Sequence, residues 1–152
     1  MAAATGRLAG IDFGTVRIGI AITDPERRIA SPLANYTRHG AAADAEYFRK
    51  LAAAENIVGF VVGLPVHLDG RESQKSGEAR QFGQWLAQTT GVNVVFFDER
   101  FTTFEAEQAL LGAELTKKQR KARLDKLAAQ ILLSAYLEAG CPASCEPKGI
   151  GS

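Results

Sequence analysis

The chain has 152 residues, 46% of them hydrophobic and 23% charged, with 18 basic and 17 acidic side chains. That is enough apolar material for one ordinary globular core, and too little length for the two domains that close on a nucleotide in actin-like kinases. A formal charge of +1 carries no signal about partners by itself, so any affinity for nucleic acid must come from where the charges lie.

Residues 1–7 contain no apolar leader, and no later run approaches the roughly 20 apolar residues of a membrane span, so a cytoplasmic protein with no membrane partner is expected. Two short apolar runs, 8–13 and 18–23, flank Gly14-Thr15-Val16-Arg17 in the pattern of a tight antiparallel hairpin. Ile18, Ile20 and Ile22 alternate with Gly19, Ala21 and Thr23, which gives the second strand one bulky face and one nearly bare. Asp12 stands among Ile11 and Phe13, and an apolar setting costs a carboxylate several kcal/mol or so unless a cation or hydrogen-bond donor compensates it. It either caps backbone amides at the turn or marks a metal or phosphate site at the strand end. Sugar kinases use a similar Asp-x-Gly-Thr hairpin for phosphate, but the chain is too short for their two-domain clamp.

Residues 29–36 read as a third strand, with Pro32 pointing to an edge position or a bulge. His39 falls in the following loop as a solvent-facing side chain. A helix over 41–55 with Phe48, Leu51 and Ala52 on one face precedes residues 57–64, apolar on both parities as in a strand covered on both sides. A polar loop leads to a second helix over 76–90, in which Trp85 reads as core, ended by Gly91. Residues 92–98 form the last strand. Thr102 and Glu105 are spaced as a capping box opening a helix to about residue 111, and a long helix runs over 117–140. The Pro/Gly/Ser-rich tail 141–152 is expected to be flexible, and its two thiols, Cys141 and Cys145, are too few for a zinc site. One domain over 1–140 follows, with a three-stranded antiparallel meander joined to parallel strands in a mixed five-stranded sheet covered by helices on both faces. That is a ribonuclease H-like α/β architecture, and ligands in open α/β sheets bind at the carboxyl ends of the strands.

This topology brings acids together. Asp12 lies on the first strand, Asp98 and Glu99 close the last, and Asp125 lies on the final helix with Ala128, Ala129 and Leu132 at its helical spacings. Clustered carboxylates repel unless cations neutralise them, and Mg²⁺ or Mn²⁺ prefers such hard oxygen ligands. Two such ions are expected here, the arrangement that serves phosphodiester hydrolysis. Lys117, Lys118, Arg120, Lys121, Arg123 and Lys126 surround the start of the helix that carries Asp125, where they form either a solvated face or a phosphate-tracking patch. Arg17 and Arg100 are phosphate candidates or counter-charges for Asp12 and Asp98, and Thr102 and Thr103 offer hydroxyl contacts.

Four motifs, Asp12-Phe-Gly-Thr-Val-Arg-Ile-Gly-Ile-Ala21, Gly63-Leu-Pro-Val-His-Leu-Asp-Gly70, Asp98-Glu-Arg-Phe-Thr-Thr103 and Asp125-Lys-Leu-Ala-Ala-Gln-Ile-Leu132, resemble those of the YqgF family. This family is also called RuvX, comprises pre-16S rRNA nucleases and is related to the RuvC Holliday junction resolvases. The resemblance spans about residues 8–140. It implies a ribonuclease H-like nuclease of the bacterial cytoplasm that processes the 5′ end of the 16S rRNA precursor, with Asp12, the Asp98-Glu99 pair and Asp125 as its acidic site. The resolvases carry their second acid at the end of the fourth strand, whereas that strand here ends Gly63-Leu64-Pro65. The second acid then comes from Asp98, Glu99 or Asp69. Glu99 is preferred as the catalytic partner of Asp12 and Asp125, because it shares a side with Phe97 and has the longer arm. Structured RNA is the expected partner of a monomeric enzyme. The alternatives are a dimeric resolvase acting on branched DNA, and a catalytically silent nucleic-acid-binding module.

Overall fold

The computed structural model describes residues 6–65, 71, 73–99 and 116–141, with the backbone alone at residues 117 and 120–126. In chain order the elements are β1 (Arg7–Asp12), β2 (Arg17–Thr23), β3 (Ala30–Thr37), α1 (Ala41–Ala54), β4 (Ile57–Leu64), α2 (Gln74–Thr90), β5 (Asn93–Asp98) and α3 (Lys117–Glu138). The strands form one sheet in the order β3-β2-β1-β4-β5. β1 pairs antiparallel with β2 and parallel with β4, and β4 pairs parallel with β5. This is the mixed sheet expected from the sequence, with β1 at its centre.

Strand parity divides the interior in two. Ile11, Ile18, Ile20, Phe60, Val62 and Leu64 point to the side covered by α1 and α2, where they bury Phe48, Phe82 and Leu86. Ala21, Val61 and Phe97 point to the other side, against Ala129, Leu132, Leu133 and Tyr136 of α3. The bulky and bare faces of β2 therefore serve different layers. The expected irregularity near Pro32 takes the form of a register shift: Ile20 pairs with Ala34 and Ala21 with Pro32, leaving Leu33 unpaired on edge strand β3.

Helix α2 begins two residues earlier than the spacing predicts. Ser73 accepts from the Ser76 amide and the Ser76 hydroxyl accepts from the Ser73 amide, so a reciprocal capping box sets the boundary. Gly91 ends the helix in the left-handed conformation, at φ 71°. Thr116 and Gln119 cap α3 in the same reciprocal way. The helix expected from the Thr102–Glu105 spacing, and Cys145 in the tail, lie outside the described residues. Cys141 is exposed. No helix among the described residues is long and apolar enough to cross a membrane.

Candidate active site

The site is built at the carboxyl edge of the central strands, on the face that α3 covers. Gly10 sets the spacing. A Cβ there would stand 2.9 Å from the Cβ of Leu133 and 3.0 Å from the carbonyl oxygen of Ala129, so only a bare α-carbon lets α3 settle this close to β1. Asp12, two residues on, shares the parity of Gly10 and is half-buried at the end of the strand. The hairpin that follows needs Gly14, where any Cβ would collide with the Arg17 carbonyl oxygen.

Glu99 reaches the same edge from β5. Gly63 pairs with Phe97, and a Cβ on Gly63 would lie 2.5 Å from Glu99 Oε2 and 3.1 Å from Glu99 Cγ. The carboxylate of Glu99 thus fills the space that a side chain at position 63 would occupy. Ile11 pairs with Val62, so one step further along the parallel ladder Asp12 lies beside Gly63. By parity and register, Asp12 and Glu99 therefore belong to the same face of the sheet at its carboxyl edge, one at the end of β1 and the other just after β5.

Asp98 takes the opposite direction. It shares parity with Val94 and Phe96, whose side chains lie against Gly83 of α2, and it is 1% exposed. The candidates Asp98 and Glu99, adjacent in sequence, are thus divided between the two layers, and it is Glu99 that lies on the side of Asp12. Asp69, the third alternative, lies outside the described residues.

Helix α3 leads to the same edge. Ser134, Leu137 and Glu138 lie beside Arg27, Ile29 and Ala30 at the far end of the sheet, and Ala129 and Leu133 cross β1 at Gly10. The preceding turn of the helix backbone, which contains Asp125, therefore runs towards the carboxyl end of β1. The side chains of Asp125, Lys117, Arg120, Lys121, Arg123 and Lys126 lie outside the described residues, as do Arg100, Thr102 and Thr103 altogether. Lys118 is exposed, and so is Arg17 at the start of β2. Among the described residues no group of three His, Cys, Asp or Glu side chains is gathered closely enough to hold a metal ion.

One buried acid does not stand out in the sequence. Asp44, in the first turn of α1, is wholly buried and accepts from the Tyr36 hydroxyl at 2.7 Å, the His39 amide at 2.9 Å and Arg38 Nε at 3.1 Å. Burial alone would raise its pKa, but these three donors outweigh it and hold the carboxyl below its ordinary value. The same pairing, with burial as the larger cause, pushes the Tyr36 hydroxyl up to about 12. The available signal is an Asp four residues after Gly40, at a helix start closely preceded by Arg38 and Tyr36.

Comparison with known proteins places the chain. The model of the family described as RuvX, Holliday junction resolvase, matches residues 6–139. A Rhodopirellula baltica protein named "Putative pre-16S rRNA nuclease" is 52% identical over 136 residues, which cover 90% of this chain and 79% of that one. A Cereibacter sphaeroides protein of the same name is 40% identical, over 88% of this chain and 84% of its own. Among solved structures, Thermus thermophilus RuvC in complex with a Holliday junction substrate superposes with a TM-score of 0.53 at 16% identity, covering 89% of this chain and 96% of RuvC, a likeness of fold. With the motifs, the ribonuclease H-like sheet and the family match in agreement, the chain belongs to the RuvX family and is a nuclease.

Proposed function

We propose that this nuclease is a divalent-metal-dependent enzyme of the bacterial cytoplasm that trims the 5′ end of the 16S rRNA precursor, acting as a monomer on structured RNA. The observation that carries the reading is the Glu99 carboxylate above Gly63, at the carboxyl edge and on the sheet face to which parity also assigns Asp12. Their oxygen donors fit Mg²⁺ or Mn²⁺, and the bare α-carbon of Gly63 gives the Glu99 carboxylate its place. Asp12, Glu99 and Asp125 are the residues that would hold the ions. Bound there, divalent cations supply charge neutralisation, activation of the attacking water and stabilisation of the leaving oxygen.

The chain's own residues then position the strand. Arg17, exposed at the hairpin end, and the basic run Lys117, Lys118, Arg120, Lys121 and Arg123 in the first turns of α3 would hold backbone phosphates on either side of the scissile bond. Arg100, Thr102 and Thr103 follow Glu99 directly in the chain and would add contacts of the same kind. Neutralising Lys117, Lys118 and Lys121 together is expected to weaken binding to all sequences and to flatten the log–log salt dependence by roughly 0.7–0.9 for each phosphate left without its cation. An unchanged slope would reduce the run to a solvated helix face.

The decisive assay uses end-labelled pre-16S RNA and a four-way DNA junction, each with and without Mn²⁺. Cleavage of the RNA that requires the ion and falls by at least about 10²–10³-fold in Asp12→Asn is expected. Cleavage of the junction alone, by a dimer, would favour the resolvase reading that the family description carries. Cleavage unaffected by Asp12→Asn would remove the site from the reaction.

A further inference from the structure

Behind the hairpin, on the α1/α2 side of the sheet, lies a cavity of about 380 Å³ lined by Phe13, Arg38, Glu78, Gln81, Phe82 and Trp85. Three of these residues make an aromatic wall. The ring of Phe82 is 4.9 Å from that of Phe13 and 5.4 Å from that of Trp85, with interplanar angles of 31° and 35°. Phe82 is buried, whereas Phe13 and Trp85 are half-buried. Trp85, core by its spacing, does pack on Phe48 at 6.4 Å, but it also borders the cavity.

The polar groups are fixed as well. Arg38 lies over the rings of Phe13 and Phe82, its Cζ 5.3 and 5.9 Å from their centroids. Its Nε is engaged by the buried carboxylate of Asp44, which the Tyr36 hydroxyl and the His39 amide hold in turn. The terminal nitrogens of Arg38 make no hydrogen bond or ion pair among the described residues and remain as donors. Glu78 contributes acceptors, and Gln81 both a donor and an acceptor.

We propose that this cavity captures an unpaired nucleobase of the same strand whose phosphate reaches Asp12, so that the substrate is single-stranded or melted where it is cut. The inference rests on the nuclease reading above and narrows its substrate class. Every base has a π-face that stacks on aromatic rings, and the edge of an unpaired base presents the donors and acceptors that Arg38, Glu78 and Gln81 complement. The carboxylate of Glu78 repels phosphate, which keeps the backbone outside and the base inside. Asp12 and Phe13 are consecutive at the end of β1, with side chains on opposite faces, so one strand draped over the hairpin reaches the acidic edge and the cavity together. Bases paired and stacked within a duplex cannot enter.

Trp85 is the only tryptophan in the chain, so its emission reports the cavity directly. The test is a fluorescence titration in EDTA, where no metal-dependent cleavage occurs, with anisotropy of a labelled probe read in parallel. The probes are a short single-stranded oligoribonucleotide, an abasic ribose-phosphate chain of equal length, a blunt duplex of the same sequence and a nucleoside monophosphate. Saturable quenching by the single strand is expected, with the abasic chain bound about 5- to 150-fold more weakly and leaving the emission unchanged. Gln81→Ala, at the exposed rim, should weaken the base-bearing strand while leaving the affinity of the abasic chain as it was. Equal quenching by the abasic chain or the duplex would overturn the proposal, as would a mononucleotide that binds as tightly as the oligonucleotide. Binding with unchanged Trp85 emission, in a protein that still cleaves RNA with Mn²⁺, would overturn the base site and leave the nuclease reading standing.

Discussion

The two faces of the sheet are built by opposite means. On the α1/α2 face, large rings fill the space: Phe48 stands edge-on to Phe60, Phe82 and Trp85, and Tyr36 stacks on Tyr47 at 3.9 Å. Buried polar chemistry there is saturated, with Asp44 taking three donors. On the α3 face, missing side chains do the positioning. Gly10 lets the helix approach, and Gly63 leaves room for the Glu99 carboxylate. Stability is concentrated where side chains are large and paired. Asp12 and Glu99, the two described acids proposed for the chemistry, belong to the face where Gly10 and Gly63 leave side chains out.

The largest effect on stability is expected from the aromatic face. Asp44→Ala would strand a guanidinium and a tyrosine hydroxyl that now share one carboxylate. Breaking a buried pair costs about 3–5 kcal/mol, and because the Arg38 side chain keeps 30% of its exposure a loss of about 3 kcal/mol is expected in urea denaturation at pH 7. The pH dependence should carry the same signature. Asp44 is held below its unfolded value of 3.8, so its contribution is full above that value and is lost as the pH falls through the lower folded value. Tyr36 is displaced upward, from 10.0 to about 12, so its contribution is full below pH 10 and is lost as the pH rises towards 12. Asp44→Asn should flatten the acid limb of the stability profile. A profile identical to that of the parent protein would show that the clamp does not hold this face.

A smaller loss is expected on the other face from Gly10→Ala. The added methyl group would meet the Leu133 Cβ and the Ala129 carbonyl oxygen, neither of them the end of a flexible chain, so α3 must shift. Overpacking of this kind costs about 1–3 kcal/mol, measurable by the same denaturation. Because α3 also carries Asp125, cleavage should fall further than stability does. A variant of parental stability and activity would mean that the approach of helix to strand at Gly10 is not limiting.

Much of this contrast is legible in the sequence, and what is not has a common cause. Alternation at Ile18, Ile20 and Ile22 marks the two faces of β2, the doubly apolar run marks β4, and Pro32 marks the irregular edge, because strand periodicity is a local property. Asp44 does not stand out because its burial depends on a turn that folds Tyr36 and Arg38 back onto α1. Trp85 borders a cavity as well as the core because Phe13 and Arg38, distant in the chain, line the same space. The preference for Glu99 over Asp98 follows from parity and arm length, but the space above Gly63 depends on the register of β4 against β5, set across a whole crossover helix. Local patterns are written in neighbouring residues, whereas register and turn geometry are settled only when distant segments meet.

The smallest structural effect, and the sharpest separation of packing from chemistry, is expected from Gly63→Ala. The new methyl group would fall where Glu99 Oε2 now lies, 2.5 Å from the position the Cβ would take. Unlike the neighbours of Gly10, the nearest atom here belongs to the far end of a flexible side chain, which can swing away at the sheet edge without moving a strand or a helix. Alanine also suits a strand slightly better than glycine, so the change in unfolding free energy should stay within about 0.5 kcal/mol. The carboxylate, however, would be pushed off its place above position 63, and displacement of a functional group by about 1 Å can cost roughly 10²-fold in rate. The expected result is a protein of parental stability with cleavage reduced by at least about 10-fold, and a weaker gain in melting temperature on adding Mn²⁺. Glu99→Gln, which keeps the shape and removes the charge, should lose activity without the steric cause. If Gly63→Ala cleaves at the parental rate while Glu99→Gln does not, Glu99 acts from some other position than the one above Gly63. If both cleave normally, the second acid is not Glu99, and the α3 face loses its claim to the chemistry.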